Sequence, residues 1–124
     1  MEYRRFSAED AEFVQEGKPF VRVCPLASFP VGRTLVVRFE EDEVALFHRP
    51  EGIFAVSNYC AHQHVPVLAD GHVEGLKVWC PRHGWCYDLL TGRAVEGSGR
   101  LRVYEVLCHQ GWLYLECPIP LWER

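Results

Sequence analysis

Two short stretches carry residue types that could do chemistry together. Cys60-Ala61-His62 and Cys80-Pro81-Arg82-His83 each pair a soft thiolate with an imidazole, and seventeen residues separate them. Two ligands on one tight loop share an approach direction, so facing loops can enclose a metal centre from both sides. Three readings compete for these four residues. They could be ordinary packing and surface features, although core filling alone gives no reason to set Cys beside His twice. They could form a tetrahedral zinc site, since two Cys and two His make a complete set. Zinc-finger spacing, however, joins Cys with Cys and His with His, whereas each stretch here supplies one of each. The third reading is a two-iron, two-sulfide centre, with both cysteines on one iron and both histidines on the other. Each loop would then reach across both irons.

The elements that must position these stretches read as β-structure. Phe20-Val21-Arg22-Val23-Cys24 alternates apolar and polar residues, as a half-buried strand does. Thr34 to Glu40 is rich in β-branched residues, and Glu41-Asp42-Glu43 turns it into Val44-Ala45-Leu46-Phe47-His48, a predicted hairpin. A turn at Arg49-Pro50-Glu51-Gly52 leads into Ile53-Phe54-Ala55-Val56, because Pro and Gly favour turn geometry. Short strands are expected at Lys77–Trp79, Cys86–Asp88, Arg102–Val106 and Trp112–Glu116. Ser7 and Asp10 form a weak capping box before Ala11-Glu12-Phe13-Val14, predicting a short turn at most. Pro118 and Pro120 should keep the C-terminal stretch extended, with Trp122 free to pack back. The expectation is an all-β antiparallel sandwich or partly open barrel.

Composition narrows the function classes. With 124 residues, nearly half of them apolar, the chain has the size and makeup of one globular domain. A net charge of −4 with scattered Arg and Lys argues against a nucleic-acid partner. No apolar run approaches the roughly 18–20 residues that span a bilayer, and Met1-Glu2-Tyr3-Arg4-Arg5-Phe6 lacks a secretory h-region. A cytoplasmic location away from membranes is therefore expected. In that compartment six cysteines suggest metal ligation and buried thiols, not a disulfide framework. Cys24, Cys86, Cys108 and Cys117 are read as small buried hydrophobes.

The order Cys-x-His, a gap, then Cys-x-x-His resembles the cluster motif of the Rieske family. The likeness continues through Val23-Cys24-Pro25-Leu26-Ala27-Ser28-Phe29-Pro30-Val31-Gly32, similar to the opening strand and turn of Rieske-type ferredoxins. Cys80-Pro81-Arg82-His83-Gly84-Trp85, Tyr87-Asp88-Leu89 and Thr91-Gly92 resemble their second cluster loop and following strand. The resemblance spans about Phe20 to Glu116. It implies stacked antiparallel sheets with the cluster at the tip of a small subdomain. One [2Fe-2S] cluster per chain would be held by Cys60, His62, Cys80 and His83. The implied layout is a single domain over 1–124, with a core at 17–117 and a cluster-binding subdomain at 60–88. Two ferric ions and two sulfides carry a double positive charge, which two thiolates and two neutral imidazoles bring to zero. Adding an electron to a neutral centre costs less Coulomb work than adding one to a four-thiolate dianion. Solvent-facing imidazole N–H groups could also couple electron loss to proton loss.

Departures from the high-potential members point to the low-potential branch. Val65 and Arg82 stand where those members have bridged cysteines, and Trp85 stands where they place a serine hydroxyl. Tyr87 cuts the other way, matching a tyrosine that donates to a cysteine sulfur, although plain strand packing also fits it. His64 fits neither iron and reads as a neighbouring or surface residue. Glu96-Gly97-Ser98-Gly99 lacks the proline of the loop that covers the cluster in many members. His48, His72 and His109 are expected in solvent.

The role implied is a one-electron carrier, itself without catalysis, between an NAD(P)H-dependent flavin reductase and a terminal oxygenase. Its partners would be redox proteins, and the chain itself a monomer. The alternative is an accessory subunit, such as the small subunit of nitrite reductase, which resembles this fold but typically lacks the ligands. An oxygenase proper does not fit the length, and no two-His-one-carboxylate iron site is evident.

Overall fold

A computed structural model of the chain describes residues 2–40, 42–61, 65–82 and 84–118. His62, His64, His83, Glu41 and Trp122 lie outside the described residues. The first half runs β1 (Glu2–Arg5), β2 (Ala11–Gln15), β3 (Lys18–Pro25), β4 (Thr34–Arg38), β5 (Glu43–Arg49) and β6 (Gly52–Ser57). Four short strands follow, β7 (His72–Glu74), β8 (Lys77–Trp79), β9 (Cys86–Asp88) and β10 (Ala94–Glu96). The chain then returns through β11 (Val103–Tyr104), β12 (Val106–His109) and β13 (Trp112–Glu116).

These strands make three sheets. A central five-stranded sheet has the order β1-β4-β5-β6-β11, one outer sheet is β12-β13-β3-β2, and a small sheet is β10-β9-β8-β7. Pairing is antiparallel except for β1, which lies parallel to β4. The expected strand Arg102–Val106 is divided, and its halves belong to different sheets. The crossing occurs at Glu105, whose N–H donates to Glu116 Oε1 and whose carbonyl accepts the Glu116 N–H.

The central sheet is buried on both faces, and β5 shows how. Side chains alternate across a strand, so Val44 and Leu46 enter a core shared with Val21, Leu113 and Leu115 of the outer sheet. Ala45 and Phe47 enter a second core with Leu68, Val78, Tyr87 and Leu89. β6 divides in the same way, Ala55 to the first core and Val56 to the second. Burying each Val, Leu or Phe stabilises the fold by about 1.5–3 kcal/mol. The second core holds the small sheet, and with it both cysteine loops, on the central sheet.

The N-terminal turn forms at Ala8–Asp10, with the Ser7 N–H donating to Asp10 Oδ2. The residues after this expected short turn form β2, a strand not among those expected, because they pair with β3. Its turn is Glu16-Gly17, both at positive φ, closing a two-residue hairpin between Gln15 and Lys18.

Candidate metal centre

The two cysteines root two loops of the same construction. After β6, the Cys60 N–H donates to the Val65 carbonyl at 3.0 Å, and Tyr59 bridges to Pro66. After β8, the Cys80 N–H donates to the Trp85 carbonyl at 2.7 Å, while the Gly84 N–H donates to the Cys80 carbonyl. In each case the chain leaves a strand, makes a short excursion and is closed by the cysteine's own amide. Both cysteines are 1% exposed and share the second core with Phe47, Leu68, Val78 and Leu89.

Tyr87 on β9 is fully buried, and its hydroxyl lies 3.5 Å from Cys60 Sγ. Burial, and then the bond to Cys60, push this hydroxyl above the ordinary tyrosine range. It stays protonated at neutral pH, so it can donate to Cys60 once that sulfur is a metal-bound thiolate. Tyr87 therefore packs in the core and also sets its hydroxyl within reach of the sulfur, so both roles stay open to it.

A third segment lies across both loops. The Ala94 N–H donates to the Gly99 carbonyl, closing the 94–99 turn. Gly97, at φ +99°, approaches Trp85 so closely that an added Cβ would sit 2.3 Å from the indole. Gly99 approaches Ala61, where an added Cβ would lie 3.2 Å from the alanine methyl. One glycine therefore rests on each cysteine loop, and the absent proline is replaced by close backbone approach.

The Rieske [2Fe-2S] domain model matches residues 19–106. The chain belongs to the Rieske family. Over 76 residues the Rieske chain is 37% identical to the ferredoxin component of a naphthalene 1,2-dioxygenase system from Pseudomonas aeruginosa, covering 61% of this chain and 72% of that protein. Its fold matches a ferredoxin from Sphingomonas yanoikuyae B1 with a TM-score of 0.69 and 29% identity, over 79% of this chain and 98% of that one. A protein assigned as the small subunit of an NADH-dependent nitrite reductase, from Mycobacterium tuberculosis, shares the fold with a TM-score of 0.74. That match has 20% identity and covers 83% and 98% of the respective chains.

The group a Rieske domain binds is a two-iron, two-sulfide cluster. The residues present fit it. Two thiols are buried in one apolar core, a tyrosine hydroxyl is aimed at one of the sulfurs, and a glycine turn leans on both loops. Val65 is half-buried and Arg82 exposed, and neither residue type can form a disulfide.

Two expectations about the remaining residues need correction. His48 is half-buried, with Nδ1 2.6 Å from the Phe29 carbonyl, so it ties β5 to the turn after β3 and is not in solvent. Cys108 is exposed near the end of β12, the edge strand of the outer sheet, where His109 beside it is exposed too. His72 and His109 are exposed as expected. In the sequence Asp42 and Glu43 pass for turn charges and Asn58 shows no role, yet all three bond around the root of the first loop.

Tyr87 gives a direct test of what tunes the site. A hydrogen bond to a charged acceptor contributes roughly 1.5–3 kcal/mol, and only the difference between redox states enters the potential. With about 1 kcal/mol differential, Tyr87→Phe lowers the midpoint by about 40 mV, a one-electron couple moving about 59 mV per tenfold change. Voltammetry at one pH checks this, and a shift below about 10 mV assigns Tyr87 to packing alone.

Proposed function

We propose that this Rieske protein is the ferredoxin of an oxygenase system. It takes one electron at a time from an NAD(P)H-dependent flavin reductase and passes it to a terminal oxygenase. Cys60 and Cys80 hold one iron of the cluster and His62 and His83 the other. The bound cluster supplies a one-electron couple, and Rieske centres as a class span roughly −150 to +300 mV. The chain's own residues supply the rest. Two buried loop cysteines bring the negative charge, Tyr87 donates toward Cys60, and Gly97 and Gly99 lay backbone over Trp85 and Ala61.

The observation that carries this reading is the pair of equivalent cysteine loops seated in one core. The extent of the likeness supports it, since the chain covers 98% of the Sphingomonas ferredoxin. The proposed layout is one domain over 1–124, with the core at 17–117 and the cluster segment at 60–88. Among the described residues no helix is long and apolar enough to cross a membrane. The proposed setting is the cytoplasm, with the protein a monomer that meets its redox partners in passing.

Iron and sulfide analysis of protein purified without oxygen should give two of each per chain. The reduced protein should show the rhombic electron paramagnetic resonance spectrum of a mixed-ligand cluster. NADH with a ring-hydroxylating-system reductase should bleach its visible bands. One zinc without sulfide would reject the cluster assignment, while a loaded protein inert toward such reductases would reject the oxygenase role.

A further inference from the structure

The root of the first cysteine loop is tied to one turn of the body by consecutive residues. Ser57 Oγ donates to Asp42 Oδ1 at 3.0 Å, and the Asn58 N–H donates to the Glu43 carbonyl at 2.7 Å. Asn58 Nδ2 donates to Glu43 Oε1, also at 2.7 Å. On its other side Asn58 Oδ1 accepts the Ala69 N–H at 2.7 Å, and its carbonyl accepts the Leu68 N–H. Glu43 Oε2 is in turn held by Arg38 Nε at 3.0 Å. Asn58 is 1% exposed and Glu43 7%.

These bonds have a consequence for Cys60, two residues downstream. They grip the chain before the loop at residue 58 and after it at 68 and 69, so the two ends of the excursion are joined through Asn58, which is itself fixed to the start of β5. Burying an amide and a carboxylate costs desolvation that an apolar pair would avoid. What the polar pair adds is direction. Asn58 offers a donor to β5 and an acceptor to the turn after the loop, and no apolar side chain can join both at a set distance. We propose that Glu43 and Asn58 are positioning residues for the cluster, holding the Cys60 loop in its metal-binding geometry. This rests on the assignment of Cys60 as a ligand.

The polarity of the pair supplies its own test. Asn58→Asp keeps an acceptor for Ala69 but sets carboxylate against carboxylate at Glu43. In the double variant Glu43→Gln with Asn58→Asp, the new amide's Nε2 can donate to the carboxylate at position 58, and its Oε1 can accept from Arg38. The hydrogen bonds linking position 43 to position 58, to Arg38 Nε and, through position 58, to Ala69 are kept, as is the total charge, while the Arg38 ion pair becomes a hydrogen bond to a neutral amide. Cluster loss is followed by visible absorbance under chelator, and paramagnetic resonance reports the cluster's surroundings. The N58D protein should lose its cluster about tenfold faster than wild type, the lower range for groups that orient metal ligands, with broadened resonance lines. The exchanged pair should recover the wild-type line shape and a lifetime within about twofold of it. If N58D fails to fold, recovery in the exchanged pair alone decides. The proposal is overturned by an N58D protein with wild-type spectrum and lifetime, or by an exchanged pair that does not recover. Wild-type protein lacking iron and sulfide would instead overturn the ligand assignment, and the proposal with it.

Discussion

Cys60→Ala and Cys80→Ala chains are expected to purify colourless and free of acid-labile sulfide, whereas Cys86→Ala should keep the full cluster. Each loop cysteine sits at the closing hydrogen bond of its loop, in an apolar core. Truncating either leaves an iron with an open position, and the described side chains of the surrounding core are chiefly Leu, Val and Phe, the Tyr87 hydroxyl near Cys60 being a protonated phenol and a poor replacement for a thiolate. Cys86 is the nearest spare thiol along the chain, but it makes a poor substitute. Burial, and then the negative charge of Glu96, push its thiol up from the ordinary value, disfavouring the thiolate that binds metal. Its backbone is also committed between Trp79 and Glu96 in the small sheet. His62→Ala and His83→Ala should empty the site in the same way. A Cys80→Ala chain with two irons and two sulfides would overturn the ligand set.

The second large effect is expected from one methyl group. Gly97→Ala places a Cβ where the Trp85 indole already lies, at a φ of +99° that strains any L side chain. Either the turn lifts or the indole leaves, and both outcomes open the cluster loops to water. Water favours the more negative, reduced state, so the midpoint should rise by an amount on the order of tens of millivolts. The cluster should be lost several-fold faster, and tryptophan emission should move to the red. Gly75→Ala is the control. Gly75 also has positive φ, at +60°, but an added Cβ there meets nothing within 4 Å. It should cost about 1–2 kcal/mol of stability and leave the potential unchanged. Equal shifts in both variants would mean that backbone strain, not the indole contact, is responsible.

The parts of this fold legible in the sequence are those whose signal is local. Strong alternation announces β3, a β-branched run announces β4, and the apolar run after the acidic turn announces β5 as its hairpin partner. Cys-His pairs on short stretches announce both loops. The parts that are hidden depend on partners distant in sequence. β1 carries Glu2, Arg4 and Arg5 and is a strand because β4 offers it an edge. β7 and β10 are three residues each, and each carries a single β-branched residue and no Phe, Tyr or Trp to mark it as a strand. Glu16-Gly17 is the readable sign of the β2–β3 hairpin, since a Gly at the second turn position suits positive φ. Asp42 and Glu43 look like ordinary turn charges because nothing local joins them to Asn58, fifteen residues on in the case of Glu43. Gly97 and Gly99 read as a missing proline; what they permit is visible only once Trp85 and Ala61 are in place.

The two-sided burial of the central sheet bears on the order in which the mature protein is made. The core between the central and outer sheets contains neither loop cysteine. It draws instead on β3, β4, β5 and β13, whose side chains close on one another without help from iron. A newly synthesised chain is therefore expected to complete this half first and to present the opposite face of β5 and β6 as a platform, which circular dichroism of the protein folded without iron would check. Delivery of iron and sulfide then becomes a late step in biogenesis, one that organises two loops on a standing scaffold.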